Sequence, residues 1–475
     1  MNATEQFLNL ADEEHRTRVA AWLADAASWE GLRDAFLSTI DEYADGLCRR
    51  PLDWCIQSHE AGGGWRPVFS HLEIRPNESW MARMKQTMLA RRDHAARAFY
   101  HGFPDEAEVH HEIETFLYFQ MPLWHHQLPG WSVARQSILD VSEHVINAVD
   151  GVPAWYDWAA QGFRSTYLGT RSIRDGKPFD YQEANHWRFV GLAITAHAIT
   201  ADERYLDLAK GYAHTWCRHI DAEYARGGVI RCSILPENAQ ASEMLYSGTQ
   251  DGAAREYQVF YSEAAANTAH DIVCGLLDVY QLTADSECLR CARMLLDQFL
   301  EHQHDGRPAT NFQGGSWCRP FDPAAPLDLE HAVSQKEQFI VRMALRHDIV
   351  TGEQRYRTSM VDWARAIDEQ KWISDQSMIA PLIAGWYYQR DSAYLERAFA
   401  MALRLWATTD GNDNPHMCGC RNRYGSKFLT EILYLPITGL FDAGTRGNLP
   451  MRAQLEPLAL GQGGTDLFMA PAPLR

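Results

Sequence analysis

One short motif recurs along this chain and sets the terms for its fold. Thr200-Ala-Asp-Glu-Arg-Tyr-Leu206, Thr283-Ala-Asp-Ser-Glu-Cys-Leu289 and Thr351-Gly-Glu-Gln-Arg-Tyr-Arg357 share one plan, and Arg390-Asp-Ser-Ala-Tyr-Leu395 is a looser copy. Each supplies a helix stop, an acidic or Ser residue able to cap the next helix, and an aromatic or apolar residue to pack in its first turn. Before each motif lies a stretch with few charges: Asp180 to Ile199, Tyr261 to Leu282, His331 to Val350, and Asp375 to Gln389. After each lies a stretch with a charged stripe: Glu203 to Ile220, Glu287 to His302, Gln354 to Glu369, and Ala393 to Thr408. A helix apolar nearly all round must be covered on every side, whereas an amphipathic one can face water. The pattern therefore predicts repeated helical hairpins in an inner and an outer layer.

Toward the N-terminus, His110 to Trp124 reads as a further inner helix and Trp131 to Val149 as its outer partner, and residues 1–100 also read as helical. The last inner helix is expected over Gly425 to Leu440, ending near Pro436 and Gly439. About six hairpins are enough to close a ring instead of leaving an open solenoid. We expect an all-α fold, an (α/α)6-type barrel or toroid, with few or no strands. Gly227-Gly-Val-Ile-Arg-Cys-Ser-Ile-Leu235 is the one segment suited to a short extended stretch. No Gly/Ser linker divides the 475 residues, so a single domain is expected: N-terminal helices over 1–100, hairpin repeats over 100–440, and an irregular wrap over 441–475.

A formal net charge of −18 argues against nucleic acid or an anionic membrane as the main partner, because no basic excess is available to neutralise phosphates. The first residues are acidic where a secretion signal needs a basic start, and no apolar run is long enough for a membrane span, so a cytoplasmic protein is expected. The 16 Trp, 19 Tyr and 19 Phe suit either an aromatic-lined sugar cleft or the filling of a large core. The 10 Cys are too sparse for a disulfide scaffold, and Cys288 and Cys291, on an outer helix, are expected to be buried thiols.

If the inner helices run parallel around a ring, their first turns converge on one face. Those turns carry His110, His111 and Glu114; Tyr181, Gln182, Glu183, Asn185 and His186; Tyr261, Glu263 and Asn267; His331, Lys336 and Glu337; Asp375; and Arg421, Arg423, Tyr424 and Lys427. Polar groups are expensive to bury, so such clusters at the mouths of apolar helices point to a shared wet cleft. For Ser, Asp, Glu and Gln, ordinary capping is the competing explanation. Gln182, Glu183, Trp187, Lys336, Glu337, Arg421 and Tyr424 are the candidate substrate-binding residues, and helix N-termini there favour a carboxylate-bearing ligand.

In this plan, over about residues 100–440, the chain resembles the α/α-barrel carbohydrate-active enzymes, both polysaccharide lyases acting on uronic-acid glycans and glycoside hydrolases. The lyase resemblance implies a substrate carboxylate held by Asn185 and Arg423, a base at His186 and an acid at Tyr261. It also implies one divalent metal ion, for which His111, Glu114 and His186 are the candidate ligands. His416, Cys418, Cys420 and Cys318 offer a softer set for zinc, as in the lanthionine cyclases that share the barrel, although the Cys-His-Gly sequence of those enzymes is absent here. The hydrolase resemblance implies two carboxyl groups drawn from Glu114, Glu183, Glu263, Glu337 and Asp375. A lyase acting on an acidic oligosaccharide or polysaccharide is the first expectation, a glycoside hydrolase the alternative, and a non-catalytic helical scaffold the third.

Overall fold

The computed structural model describes residues 28–49, 71–72, 75–109, 131–177, 179–227, 229–236, 244–246, 257–259, 265–301, 303–304, 307–308, 337–367 and 378–408, with isolated positions between 21 and 68. Four complete hairpins lie among the described residues: α4 (Trp187–Thr200) with α5 (Glu203–Arg226), α6 (Ala266–Thr283) with α7 (Ser286–Glu301), α8 (Glu337–Thr351) with α9 (Arg357–Ala366), and α10 (Ile379–Gln389) with α11 (Ser392–Thr408). Three helices precede them: α1 (Trp29–Arg49), α2 (Glu78–Ala98) and α3 (Ser132–Val145).

The recurring motif folds in one way each time. Thr200, Thr283 and Thr351 each donate their hydroxyl to the carbonyl four residues back, and each hydroxyl accepts the N–H two residues on, from Asp202, Asp285 and Glu353. The residue between enters the left-handed region: Ala201 and Ala284 at φ 57°, Gly352 at φ 72°, with Arg390 at φ 58° in the looser copy. Its N–H closes back on the helix, as Ala201 does on His197 and Ala284 on Tyr280, each at 2.7 Å, so the last turn is capped at the point of reversal. The next helix then starts on an acidic cap, where Asp202, Asp285 and Asp391 accept the N–H groups of Arg204, Glu287 and Ala393. Tyr205, Leu289, Tyr356 and Tyr394 bury themselves behind each turn.

The two layers follow from what each helix can leave exposed. Trp187 to Ala196 of α4, and nearly all of α6, α8 and α10, are buried on every side. These helices pack in the order α4, α6, α8, α10, and the amphipathic α5, α7, α9 and α11 cover them. The ends of the series meet: α11 packs against α1, with the Trp29 and Phe399 rings stacked at 6.4 Å and Phe36 against the same ring at 5.6 Å. Next, α1 packs on α2, Arg92 of α2 pairs with Asp140 of α3 at 3.0 Å, and α3 packs on α4. Helices from the two ends of the described chain thus sit side by side in a closed α/α barrel, with one continuous apolar core running from Leu32 to Leu403. No described helix is long and apolar enough to cross a membrane.

The expected boundaries shift at the inner mouths. Residues 180–186 were expected inside the helix that ends near 199, but Gln182–Glu183 form a strand, Ala184–His186 a 3-10 turn, and the α-helix starts only at Trp187. The strand pairs antiparallel with Ser233–Ile234, which lies in the segment expected to be extended, so the α4–α5 hairpin is tied at its open end. Likewise α6 begins at Ala266 and not at Tyr261. As expected for a mostly helical chain, the strands are few and only two or three residues long, forming five two-stranded pairs among the described residues. The inner helix expected over 110–124, the one over 425–440 and the C-terminal wrap lie outside the described residues.

Close approach of α4 and α6 depends on one glycine. A Cβ at Gly275 would sit 2.1 Å from Cε3 of Trp187, a distance no real contact reaches. Gly275→Ala is expected to cost about 3 kcal/mol by overpacking, and Asp202→Ala about 1 kcal/mol by loss of a helix cap. Urea unfolding of the two variants checks both, and a smaller loss for Gly275→Ala than for Asp202→Ala would contradict the packing account.

Candidate active site

The segment leading into α4 brings the sequence-selected residues Gln182, Glu183, Asn185, His186 and Trp187 together, and it does so by saturating several of them locally. The Gln182 amide accepts from Phe163 N–H at 2.8 Å and donates to its carbonyl at 2.6 Å, so both ends are used to hold a neighbouring hairpin. Trp187 is buried with its ring against Gly275 and Tyr212, which leaves no face for a sugar.

His186 is enclosed completely. Its Nδ1 accepts the Glu183 N–H at 3.1 Å, Nε2 lies 3.0 Å from the Ser165 carbonyl, and the ring stacks on Phe163 at 4.8 Å and 6°. Burial drives the imidazole down to about 4, so it is neutral at ordinary pH. Neither ring nitrogen is left to take a proton from a sugar or to ligate a metal. The expected metal set therefore lacks a donor atom from His186 in this conformation, while His111 and Glu114 lie outside the described residues, as do Tyr261, Lys336, Arg421, Arg423 and Tyr424.

Glu183 has a different environment. Its side chain and that of His186 form a reciprocal cap on the 3-10 turn, and the Asn185 amide donates to Glu183 Oε1 at 3.2 Å. Asn185 is thereby turned toward the carboxyl. Capping was the competing explanation for this glutamate, and Glu183 does cap. Burial nevertheless dominates, pushing its carboxyl up to about 7 from an ordinary 4.5, while Arg188 pulls it down and Asp271 pushes it up. A carboxyl that titrates near neutrality can hold a proton and release it, which is the requirement for a general acid.

The charges that tune Glu183 sit on the inner helices themselves. Arg188 Nε of α4 lies 3.8 Å from Asp271 Oδ2 of α6, both side chains about 2% exposed, and His270 Nδ1 approaches Asp271 Oδ1 at 3.3 Å. Asp271, Cys274 and Asp278 follow one another along one stripe of α6, and the fields of Arg342 and Arg346 of α8 both reach Cys274. Arg346 pairs with Asp278 at the far end of the stripe. Glu337, also selected from the sequence, is buried in the first turn of α8.

Arg188, Asp271, Asp278, Arg342 and Arg346 are not among the residues that the sequence singles out at the helix mouths. Their signal was present, because charges recurring at i, i+7 in α6 and i, i+4 in α8, inside otherwise apolar helices, mark one face of each.

No protein-family model and no curated protein matches the chain. Among solved structures it is similar to an unsaturated glucuronyl hydrolase responsible for the degradation of glycosaminoglycan, from Bacillus sp. GL1, at 14% identity and a TM-score of 0.45, over 82% of this chain and 88% of that one. An unsaturated glucuronyl hydrolase specific for heparin is similar at 11% identity and a TM-score of 0.39, over 75% and 86% of the two chains.

The two buried groups make opposite demands on pH. The raised Glu183 carboxyl contributes fully below its ordinary value of 4.5, and that contribution is lost as pH rises through about 7. The lowered His186 imidazole contributes fully above its ordinary 6.5, and that contribution is lost as pH falls through about 4. Glu183→Gln keeps the cap and removes the charge, so it is expected to gain stability over the unsubstituted chain as pH rises from 4.5 to 7, reaching roughly 3 kcal/mol. Chemical denaturation across that range checks it, and a pH-independent difference would contradict the assignment.

Proposed function

We propose that this chain is a glycoside hydrolase acting on uronic-acid-containing oligosaccharides, with Glu183 as proton donor to the leaving glycosidic oxygen and Asp271 as its carboxylate partner. The observation that carries the reading is a buried Glu183 carboxyl at the mouth of α4, held by the Asn185 amide at 3.2 Å, with the Asp271 carboxylate of α6 faced by Arg188 at 3.8 Å; burial pushes Glu183 up to about 7. Hydrolysis by two carboxyl groups needs this inequality, one protonated to give and one ionised to take. In the step proposed, the Glu183 proton goes to the glycosidic oxygen as its bond to the anomeric carbon breaks. Water adds its oxygen to that carbon, and Asp271 takes the water proton.

β-Elimination was the first expectation, but it needs a base at the sugar C5, and both nitrogens of His186 are engaged by backbone groups. That favours hydrolysis over elimination. For an acidic substrate, Arg188 of α4 and Arg342 of α8, both buried on inner helices, would supply the cationic groups that a uronate carboxylate requires. The two solved structures named above are hydrolases of the same substrate class, though the reading rests on Glu183 and Asp271.

Uronate oligosaccharides, saturated and 4,5-unsaturated, incubated with the enzyme test this. New reducing ends are expected with no gain in the ultraviolet absorbance of a conjugated double bond. Glu183→Gln and Asp271→Asn should each lower kcat by about 100-fold or more with helical content retained. A rise in that absorbance, or an unchanged rate in Glu183→Gln, would contradict the proposal.

A further inference from the structure

Outside the ring interior, where α5 and α7 pack against each other, lies a second concentration of reactive side chains. His214-Thr-Trp-Cys217 on α5 faces Cys288-Leu-Arg-Cys291 on α7, each pair three apart on one helical face. The ligand atoms of His214, Asp285 and Cys288 all lie within 4.8 Å of one another, the one such group of His, Cys and carboxylate among the described residues. His214 Nε2 is 2.7 Å from Asp285 Oδ2, while Asp285 Oδ1 caps α7. Behind them the Cys217 thiol is hydrogen-bonded to those of Cys288 and Cys291, and Cys291 reaches the Cys217 carbonyl at 3.9 Å.

We propose that His214, Cys217, Asp285 and Cys288 bind one zinc-like divalent cation that staples α5 to α7. The chemistry of the donor set points this way. Zinc takes four ligands in a tetrahedron, prefers imidazole and thiolate, and accepts a carboxylate, and a site with four protein ligands is structural in character. With metal-to-nitrogen distances of about 2 Å and metal-to-sulfur distances of about 2.3 Å, ligand atoms around one ion stand roughly 3–4 Å apart. His214, Asp285 and Cys288 already lie within 4.8 Å of one another, so the His214–Asp285 hydrogen bond has to open and the Cys217 thiol, which stands outside that group, has to turn toward the ion.

An entry route exists, because His214 and Asp285 are 38% and 27% exposed while all three cysteines are fully buried. The scaffold is held one turn further on by Arg290, which grips Asp221 with two nitrogens across the same seam. Binding would release the protons of Cys217 and Cys288 to solvent, with no oxidant or reductant involved.

Cobalt(II) titration of the reduced, chelator-treated full chain tests the site, because cobalt-bound thiolate gives a charge-transfer band in the near ultraviolet. The band is expected to saturate at one cobalt per chain and to be abolished by zinc. His214→Gln and Cys288→Ser should each weaken cobalt binding by at least about 10-fold, and Cys418→Ser should leave it unchanged. Thermal unfolding of each variant confirms that it is folded, and zinc should raise the melting temperature of the unsubstituted chain and of Cys418→Ser but not of His214→Gln or Cys288→Ser. No band, a band that survives His214→Gln and Cys288→Ser, or two fewer titratable thiols in the unreduced protein, as a disulfide would give, overturns the proposal.

Discussion

Everything in this molecule follows from inner helices that cannot tolerate water on any side. With α4, α6, α8 and α10 buried nearly throughout, each needs neighbours left and right and an amphipathic cover behind, and a closed ring meets that demand for all of them at once. The enclosure that stabilises apolar side chains penalises charge. Arg188 and Asp271, and Arg346 and Asp278, are accordingly set against each other across helices. Burial still outweighs the pairing at two carboxyls, pushing both Glu183, at the mouth of α4, and Asp278, beside Arg346, up to about 7. Architecture and chemistry share one cause.

Much of the ring was legible because its turns repeat. Thr at the last helical position, a left-handed residue and an acidic cap are local hydrogen-bonding devices, so the same letters give the same geometry at Thr200, Thr283 and Thr351. The mouths were less legible because the chain there answers to distant partners. Gln182 and Glu183 look like a helix start but are drawn into a strand by Ser233 and Ile234, fifty residues away. His186 is a reactive residue type whose nitrogens are claimed by the backbone of Glu183 and Ser165, and nothing in the sequence announces that. Asp271 is hidden differently, since it lies past the first turn of an otherwise apolar α6, and Arg188 because the α-helix starts at Trp187 and not at Asp180.

The inner and outer layers handle ionisable groups in contrasting ways. Inside, burial and paired guanidinium groups set the carboxyl chemistry of Glu183 and Asp271. Outside, between α5 and α7, three thiols lie just beneath a partly exposed histidine and aspartate, a gradient from wet to dry across a few ångströms. The first arrangement tunes a proton. The second concentrates soft donors on rigid helices, away from the ring interior, where they bear on how two hairpins are held together and not on what passes through the ring.

The protonation state of Glu183 is the point on which the functional account turns, and infrared difference spectroscopy reads it directly. The account predicts a protonated-carboxyl stretch at pH 6 that disappears with a midpoint near 7, and the loss of one component of it in Glu183→Gln, the component that remains belonging to Asp278, which burial also pushes up to about 7. A Glu183 carboxyl that titrates at its ordinary 4.5 would contradict it, because the group would then hold no proton to donate at neutral pH.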